Sequence, residues 1–338
     1  MRFLIRCVEK KDLHDFYRLA SQLDTYNLPK DRRELSKIIN LSINSFSGQI
    51  KDPQQGRFVF VAEDLKTSKI IGTAEVLAKR GTPDEPFIYC DVGVDRMRSK
   101  TLSKEVTHRY IRLRHTSNGA SEVGGLVVDP GFRGKGSGVG KALSYVRLMY
   151  TRGHPERFEK YIIAELLAYL DARGENPLWN FLGRHFTGLS YHDADHLSVH
   201  NKEFILSLFP SEKIYTCLLP QKVQDILEKP GLHSIPAQVL LQRIGFKYFN
   251  QVDPFDGGPL YGCEVRKTKV YRETESVKAQ GILQGESNPN CLMMVEQKSK
   301  VRAVLGECVL DGKNARLDIE SMKILKLSRG DKFWAYFL

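Results

Sequence analysis

The residues best suited to chemistry form one basic, glycine-rich segment, Arg133-Gly134-Lys135-Gly136-Ser137-Gly138. Because glycine has no side chain, successive backbone N–H groups in such a segment can converge on a phosphate. The spacing fits neither the Walker loop, Gly-x-x-x-x-Gly-Lys-Ser/Thr, nor the dinucleotide fingerprint, Gly-x-Gly-x-x-Gly. The segment reads instead as Arg-x-x-Gly-x-Gly, and we predict that it binds the phosphates of a ligand.

Two elements must position this loop. Glu122 to Val128 is a nearly unbroken apolar run, which is typical of a strand buried on both faces. After the loop, an amphipathic pattern predicts a helix that continues to about Tyr150. The positive end of that helix would add to the field that attracts an anion. The sequence therefore predicts a strand, an anion-binding loop and a helix in direct succession.

The composition limits the functions that the chain can have. It has 338 residues with 10% aromatic and 41% hydrophobic residues, which excludes a wholly disordered protein and suits about two domains. No apolar stretch reaches the 18 or more residues that cross a bilayer, and Met1 to Glu9 lacks the pattern of a secretory signal. The six cysteines are scattered without metal-ligand spacing. We expect free thiols, no metal and a cytoplasmic location.

The net charge of +11 is unusual and suits nucleic acid, a membrane surface or a polyanionic ligand. Arg109, Arg112 and Arg114 suggest nucleic acid, but they lack a recognition motif or regularly spaced stacking aromatics. We therefore predict no nucleic-acid partner and no membrane. Binding of phosphates at the glycine loop would account for part of this positive charge.

The Arg133, Gly136 and Gly138 pattern, together with its strand and helix, resembles the pyrophosphate loop of the GNAT superfamily of acyl-CoA N-acyltransferases. Further segments are similar to the bacterial arginine N-succinyltransferase family, in order and over about residues 1 to 265. Among them are Phe58-Val59-Phe60-Val61, Leu126 to Arg133, Gly245-Phe246 and Phe255-Asp256-Gly257-Gly258-Pro259. The resemblance implies transfer of a succinyl group from succinyl-CoA, as a cosubstrate, to the α-amine of L-arginine in arginine catabolism. It implies no permanently bound cofactor.

The resemblance also sets the expected organisation. We predict an α/β fold in which a GNAT-like mixed sheet is flanked by helices, with a helical extension and a small C-terminal β subdomain. The predicted segments are an acyl-CoA-binding core at 1–192, a helical extension completing the active site at 193–267, a linker at 268–290 and the β subdomain at 291–338. The linker is predicted because Thr268 to Asn290 is poor in large apolar residues.

Carried over by position, the resemblance implies cofactor-binding roles for a set of strand and loop residues. These are Leu126, Val127, Val128, Arg133, Gly134, Gly136 and Gly138. The catalytic histidine of the family falls at Gly231 in an ungapped match, whereas this chain has His233 two residues later. We predict that His233 is the catalytic residue, which requires a local two-residue slip.

Acyl transfer to an amine needs a base near neutral pKa, which suits a histidine. His115, and Glu122 acting through water, are alternatives to His233. Asp253, Asp256 and Glu264 are candidates to bind the guanidinium of the acceptor, although Asp-Gly-Gly-Pro is also a common tight turn.

Three alternatives to the leading function stay open. The chain could use another acyl donor. It could also use another acceptor, such as ornithine or a polyamine, because the family segment Ala-Glu-Met-Arg-Gly is here Ala164-Glu165-Leu166-Leu167-Ala168. It could also be a non-catalytic subunit of a heteromeric succinyltransferase, given the displaced histidine. For the assembly, we expect a homo-oligomer or a complex with a paralogous subunit.

Overall fold

The structure, a computed structural model, describes residues 2–22, 28–83, 85–134, 136–198, 201–283 and 290–338. Its strands are β1 Phe3–Cys7, β2 Arg57–Asp64, β3 Ile70–Leu77, β4 Phe87–Ser99, β5 Lys104–Thr116, β6 Ser121–Val128, β7 Tyr161–Glu165, β8 Ile214–Tyr215, β9 Lys247–Val252, β10 Pro259–Glu264, β11 Glu275–Ile282, β12 Asn290–Gln297, β13 Lys300–Asp311, β14 Asn314–Leu317 and β15 Lys332–Phe337. Its α-helices are α1 Leu13–Ala20, α2 Arg32–Ser47, α3 Val139–Gly153, α4 Arg184–Thr187, α5 Tyr191–Ser198, α6 Glu203–Leu208, α7 Gln221–Ile226, α8 Ile235–Arg243, α9 Lys269–Glu273 and α10 Ile319–Leu325. The predicted mixed α/β class is confirmed.

Helix α2 shows how local sequence defines an element. Its apolar stripe, which includes Leu35, Ile39 and Phe46, is buried, as the helical period requires. The side chain of Asp31 accepts hydrogen bonds from the first backbone N–H groups, and Gly48 ends the helix in the left-handed conformation. Both ends and the buried face are therefore specified by neighbouring residues.

The chain divides into two compact units that alternate along the sequence. The first unit contains residues 1–79, 121–162 and 264–338, and the second contains residues 80–120 and 163–263. The four predicted segments, by contrast, follow one another along the chain. They remain a prediction about domain organisation.

The first unit combines a layered sheet with a closed barrel. Strands β1, β2, β3 and β6 are neighbours in that order, and α1 and α2 pack on them through a core that includes Phe16, Leu19 and Val61. Strands β11 to β15 form a ring, because β12 pairs with both β13 and β15, while β11 pairs with β15 and β14. Strand β13 also pairs with β1.

Most of the segment predicted as a linker has regular secondary structure. Residues 269–273 are helix α9, and residues 275–282 are strand β11, which closes the ring between β14 and β15. The segment looks like a linker in sequence because its buried positions, Val277 and Ala279, are small, and polar residues flank them. Part of the predicted linker, residues 284–289, lies outside the described residues.

The second unit has the strand order β10, β9, β4, β5 and β8, with the last residues of β7 beside β10. Strands β4 and β5 form a long hairpin, paired from Phe87 with Thr116 to Ser99 with Lys104. The predicted helices in the extension are present, but strands β9 and β10 follow them, which the sequence analysis did not predict. The rings of Trp179 and Phe255 stack with their centres 4.9 Å apart, in a buried cluster that also contains Tyr191, Ile205 and Phe209. In the described part of the chain, we find no helix long and apolar enough to cross a membrane.

Candidate active site

The predicted strand, loop and helix are present in the first unit as β6, residues 129–134 and 136–138, and α3, while Lys135 of the predicted loop lies outside the described residues. A short 3₁₀ turn at Pro130–Phe132 follows β6, and the side chain of Asp129 accepts a hydrogen bond from the N–H of Gly131. The Arg133 guanidinium donates from Nε to the carbonyl of Val128 at 2.6 Å. Ser137 donates from Oγ to the carbonyl of Phe132 at 2.7 Å. These side chains hold the loop in shape, and the N–H groups of Phe132, Arg133 and Ser137 donate to carbonyls within it.

The glycines of the loop leave space beside its backbone. Gly134, Gly136 and Gly138 have φ values of 66°, 71° and 71°, in the left-handed region that other residues rarely adopt. Among the described residues other than the chain neighbours, a Cβ atom at Gly134 or Gly136 would have no heavy atom within 4 Å. At Gly138 it would lie 2.7 Å from Cδ2 of Leu305. Helix α3 begins at Val139, so its first N–H groups, which have no acceptor within the helix, border the same space.

A bulge interrupts β6 at the residue that the resemblance assigns to the cosubstrate. Thr73 of β3 pairs with Val127 and Glu75 pairs with Gly124, so Gly125 and Leu126 lie opposite the single residue Ala74. Such an extra residue leaves the regular ladder and exposes backbone groups to other partners. Val127 is buried, whereas Leu126 and Val128 are partly exposed.

Arg147 of α3 fixes this bulge from inside the unit. Its guanidinium is 2% exposed and donates from Nη1 to the carbonyls of Gly124 at 3.1 Å and Glu75 at 3.3 Å. Burial lowers the pKa of Arg147 to about 9, although the nearby Glu75 carboxylate opposes that shift. Nothing in the sequence motif points to Arg147, because its role depends on the packing of α3 against β6.

Asp129 ties the loop to helix α1. Arg18 donates from Nη1 to Asp129 and from Nη2 to the carbonyl of Ile70 at 2.7 Å. Burial raises the pKa of Asp129, but the hydrogen bonds from Arg18 and the Gly131 N–H outweigh it, so the pKa lies below its usual value. The loop therefore begins from a carboxylate that stays charged.

His233 lies in a separate turn, in the second unit, and is exposed. The turn is anchored at Gly231, whose N–H donates to the carbonyl of Leu167 at 2.8 Å. A Cβ atom at Gly231 would lie 2.4 Å from the carbonyl oxygen of Ala168. No side chain therefore fits at Gly231, and the nearest histidine of the turn is His233.

A polar cluster that the sequence analysis missed precedes His233. Glu228 has a φ of 65°, its N–H donates to the carbonyl of Gly257 at 3.0 Å, and its carboxylate accepts hydrogen bonds from Arg109. Burial and the Glu228 carboxylate both raise the pKa of Tyr248. A strained residue held by an ion pair often marks a functional segment. The pairing is 119 residues apart in sequence, so no local signal could have revealed it.

The other two candidate bases lie in different surroundings. His115 is exposed on β5, and Glu122 is fully buried on β6, opposite Leu77 of β3. An exposed histidine is free to exchange protons with solvent, whereas a buried carboxylate would need a water to reach a substrate. Neither position excludes the residue as a base.

The candidate guanidinium partners mostly serve their own turn. Asp256 accepts from the N–H of Gly258 at 2.7 Å and from the N–H of Ala168 at 3.0 Å, so both of its oxygens are occupied. One oxygen of Asp253 accepts from the N–H groups of Phe255 and Asp256. Burial raises the pKa of Asp253 to about 7, and the neighbouring Asp256 carboxylate adds to the shift. Glu264, in the first unit, pairs with Lys267 at 2.7 Å. For Asp253 and Asp256, these contacts favour a role in stabilising their own turn over a role in binding a guanidinium group.

Within the described ranges, no group of three or more His, Cys, Asp or Glu side chains could hold a metal ion. Among these residues the cysteines Cys7, Cys90, Cys217, Cys263, Cys291 and Cys308 form no disulfide.

Comparison with known proteins places these features in a family. A family profile described as arginine N-succinyltransferase beta subunit matches residues 3–270. An arginine N-succinyltransferase of Escherichia coli strain 55989 is 31% identical over 333 residues, which cover 97% of this chain and 96% of the relative. One from Enterobacter sp. strain 638 is also 31% identical, covering 97% and 95%. The solved structure of arginine/ornithine succinyltransferase subunit AI from Pseudomonas aeruginosa matches with a TM-score of 0.88 and 26% identity, covering 99% of this chain and 98% of that one. The chain therefore belongs to the arginine N-succinyltransferase family.

Proposed function

We propose that this protein is an arginine N-succinyltransferase, which transfers succinyl from succinyl-CoA to the α-amine of L-arginine in arginine catabolism. The observation that carries the proposal is the loop at residues 129–138. It joins β6 to the N-terminus of α3 and keeps open space beside Gly134 and Gly136. Family membership over nearly the whole chain supports the same donor and acceptor.

We assign the binding of succinyl-CoA to the first unit. The N–H groups of the loop and of the first turn of α3 would bind the pyrophosphate, because helix N-termini and left-handed glycine segments favour anions. Arg133 would support this site by holding the loop through its bond to Val128. The backbone released by the bulge at Leu126 would pair with the pantetheine arm or with the developing oxyanion. Val127 and Val128 continue strand β6 from the bulge to the loop.

The reaction itself needs one proton removed and one returned. The neutral α-amine attacks the thioester carbonyl and forms a C–N bond, and a base takes a proton from the nitrogen. The tetrahedral intermediate then collapses, the C–S bond breaks and the CoA thiolate receives a proton. We propose His233 as the base, since a histidine titrates near neutral pH. Arg109 and Glu228 would act as positioning residues for its turn.

Thiol release by the purified protein tests the proposal. Succinyl-CoA and acetyl-CoA are each combined with arginine, ornithine and putrescine, and free CoA is measured. We expect release to be fastest with succinyl-CoA and arginine, and a mass increase of one succinyl group on arginine. A clear preference for ornithine or for acetyl-CoA would replace the substrate assignment, and no release with any pair would support the non-catalytic subunit.

We also propose that the chain works in the cytoplasm and assembles with a second chain. The scattered cysteines without disulfides among the described residues suit a reducing compartment. The names of the family profile and of the Pseudomonas aeruginosa structure describe those proteins as subunits. Light scattering after size exclusion would show whether this chain forms a homo-oligomer. A single-chain mass would instead favour a paralogous partner or a monomer.

A further inference from the structure

A cavity of about 460 Å³ lies in the first unit, outside the loop described above. That volume is within the range of about 300–1,000 Å³ that is typical of small-molecule sites. The rings of Phe158 and Tyr271 and the side chain of Val265 form apolar walls, and Lys160 and Arg266 lie at its rim. The cavity thus combines apolar surface with positive charge.

The cavity lies at the opposite end of β6 from the glycine loop. The N–H of Glu159, one of its lining residues, donates to Oγ of Ser121, the first residue of β6. The loop follows the last residue of β6, Val128. Helix α3 likewise begins at the loop and ends at Gly153, just before the lining residue Pro155, and its 15 residues span roughly 22 Å. The cavity and the loop are therefore distinct sites in one unit.

The carboxylates of the cavity are already neutralised. Glu159 pairs with Lys79 at 3.1 Å, and Glu264 pairs with Lys267 at 2.7 Å. Lys160 and Arg266 are exposed and form no ion pair with any described residue. The Lys160 ammonium instead lies 5.3 Å from the ring of Tyr161. Lys267 has the larger effect in lowering the pKa of Glu264, and the charge of Lys160 adds to it. The rim therefore carries two positive charges that are not held in an ion pair with a described residue, one of which also acts on Glu264.

A third positive group lies against the wall at Tyr271. The guanidinium of Arg152 is 4.9 Å from the centre of the Tyr271 ring and 5.9 Å from that of Trp334. Its buried Nε has no hydrogen-bond partner among the described residues. Arg152 as a whole is only partly buried, but a buried donor atom without a partner is costly, and a nearby anion would reduce that cost. Positive groups therefore lie both at the rim of the cavity and against the ring of Tyr271.

From these contacts we propose that the cavity binds a small anion with a flat apolar body, of the aromatic carboxylate or sulfonate class. The apolar body would pack on Phe158 and Tyr271, and the anionic group would interact with Lys160 and Arg266. Because the site is separate from the CoA loop, it would accept its ligand with or without CoA bound.

Fluorescence titration of the full chain with anilinonaphthalene sulfonate tests this proposal. We expect saturable binding to one site per chain. The double variant Lys160→Glu and Arg266→Glu should weaken it about tenfold or more, because it replaces two attractive charges with two repulsive ones. Both residues are exposed, so the thermal midpoint should stay close to that of the parent chain.

The matched control is the double variant Lys313→Glu and Arg329→Glu, which makes the same change in net charge at exposed positions outside the cavity. It should bind the probe within about twofold of the parent. Equal weakening in both double variants, no effect in either, or displacement of the probe by saturating CoA would each overturn the proposal. None of these measurements depends on succinyl transfer, so they test the cavity separately from the proposed activity.

Discussion

Two glycines, Gly136 in the first unit and Gly231 in the second, show two different reasons for the same residue type. Gly136 has a φ of 71° and open space where a Cβ atom would be. Gly231 has no such backbone requirement, but a Cβ atom there would lie 2.4 Å from the Ala168 carbonyl oxygen. Gly136 thus leaves open space beside the backbone, whereas Gly231 allows its turn to pack closely against Ala168.

This difference explains why the local conformation around Gly136 is easier to predict from sequence than the conformation around Gly231. The loop around Gly136 depends on its own backbone conformation, which neighbouring residues specify, so its motif is visible in sequence. The turn around Gly231 depends on contact with the carbonyls of Leu167 and Ala168, about 60 residues earlier. An ungapped match between this chain and the family can therefore be wrong by two residues at this turn, and nothing in the local sequence would show the error. Four predictions test the contrast, beginning with the largest expected effect.

His233→Ala should lower kcat by about 10²–10⁴-fold, the usual contribution of a general base, and leave the affinity for CoA unchanged. Steady-state thiol release and calorimetric CoA titration measure the two quantities. The matched control is His115→Ala, an exposed histidine of the same unit, which should retain kcat within about twofold. If His115→Ala loses activity and His233→Ala does not, the base is misassigned.

Gly136→Asp should weaken CoA binding by about a hundredfold or more, because it places a carboxylate where the loop would bind phosphates. The control is Gly48→Asp, a glycine with nearly the same φ, 70°, and equally open space at the end of α2. Calorimetry should show CoA bound normally by this control. Equal affinity in both variants would contradict a phosphate role for the loop.

Gly231→Ala should reduce the free energy of unfolding by about 1–3 kcal/mol, since the added methyl group forces the turn away from Ala168. We also expect kcat to fall while CoA affinity holds, because the turn carries His233. Gly281→Ala, where a Cβ atom meets nothing within 4 Å, is the control for stability. Denaturant unfolding measures both variants, and an unchanged midpoint for Gly231→Ala would argue against the close contact.

The contributions of Asp253 and Asp129 to the stability of the fold should change with pH in opposite directions. The pKa of Asp253 is raised to about 7, so between about pH 4 and pH 7 the folded state holds a proton that the unfolded state releases. This contribution to stability is present at low pH and lost as the pH rises through that window. The pKa of Asp129 is lowered, so its contribution is present above the unfolded pKa and lost as the pH falls.

Asp253→Asn should therefore flatten the fall in stability between pH 4 and pH 7 by about 1–3 kcal/mol. Asparagine keeps an oxygen that can accept from Phe255 and Asp256. The control is Asp311→Asn at the exposed last residue of β13, which makes the same chemical change away from the Asp253 turn. Thermal midpoints of the variant, the control and the parent chain are measured from pH 4 to pH 7. If the midpoint of Asp253→Asn falls with pH as steeply as that of the parent, the buried Asp253 does not cause the fall in stability.

Much of the fold could be predicted because its signals are local. The hairpin of β2 and β3, strand β6, helix α3 and four strands of the C-terminal barrel follow apolar patterns with turns between them. Strand β11 was missed because its inward residues are small. Strand β9 was missed because it comes shortly after helix α8, and β10 because it follows a glycine-rich turn in a segment with mixed patterns.

The sequence alone predicted the glycine-rich loop between a strand and a helix, the mixed α/β class and the likeness to a family, since each depends on residue types at fixed short spacing. Only the tertiary structure decided what holds those features in place. Arg147 fixes the bulge at Leu126, Arg109 reaches Glu228 from another strand, and Gly231 packs on a distant carbonyl. Such contacts join residues far apart in the chain, and side-chain packing selects them only once the backbone has brought them together.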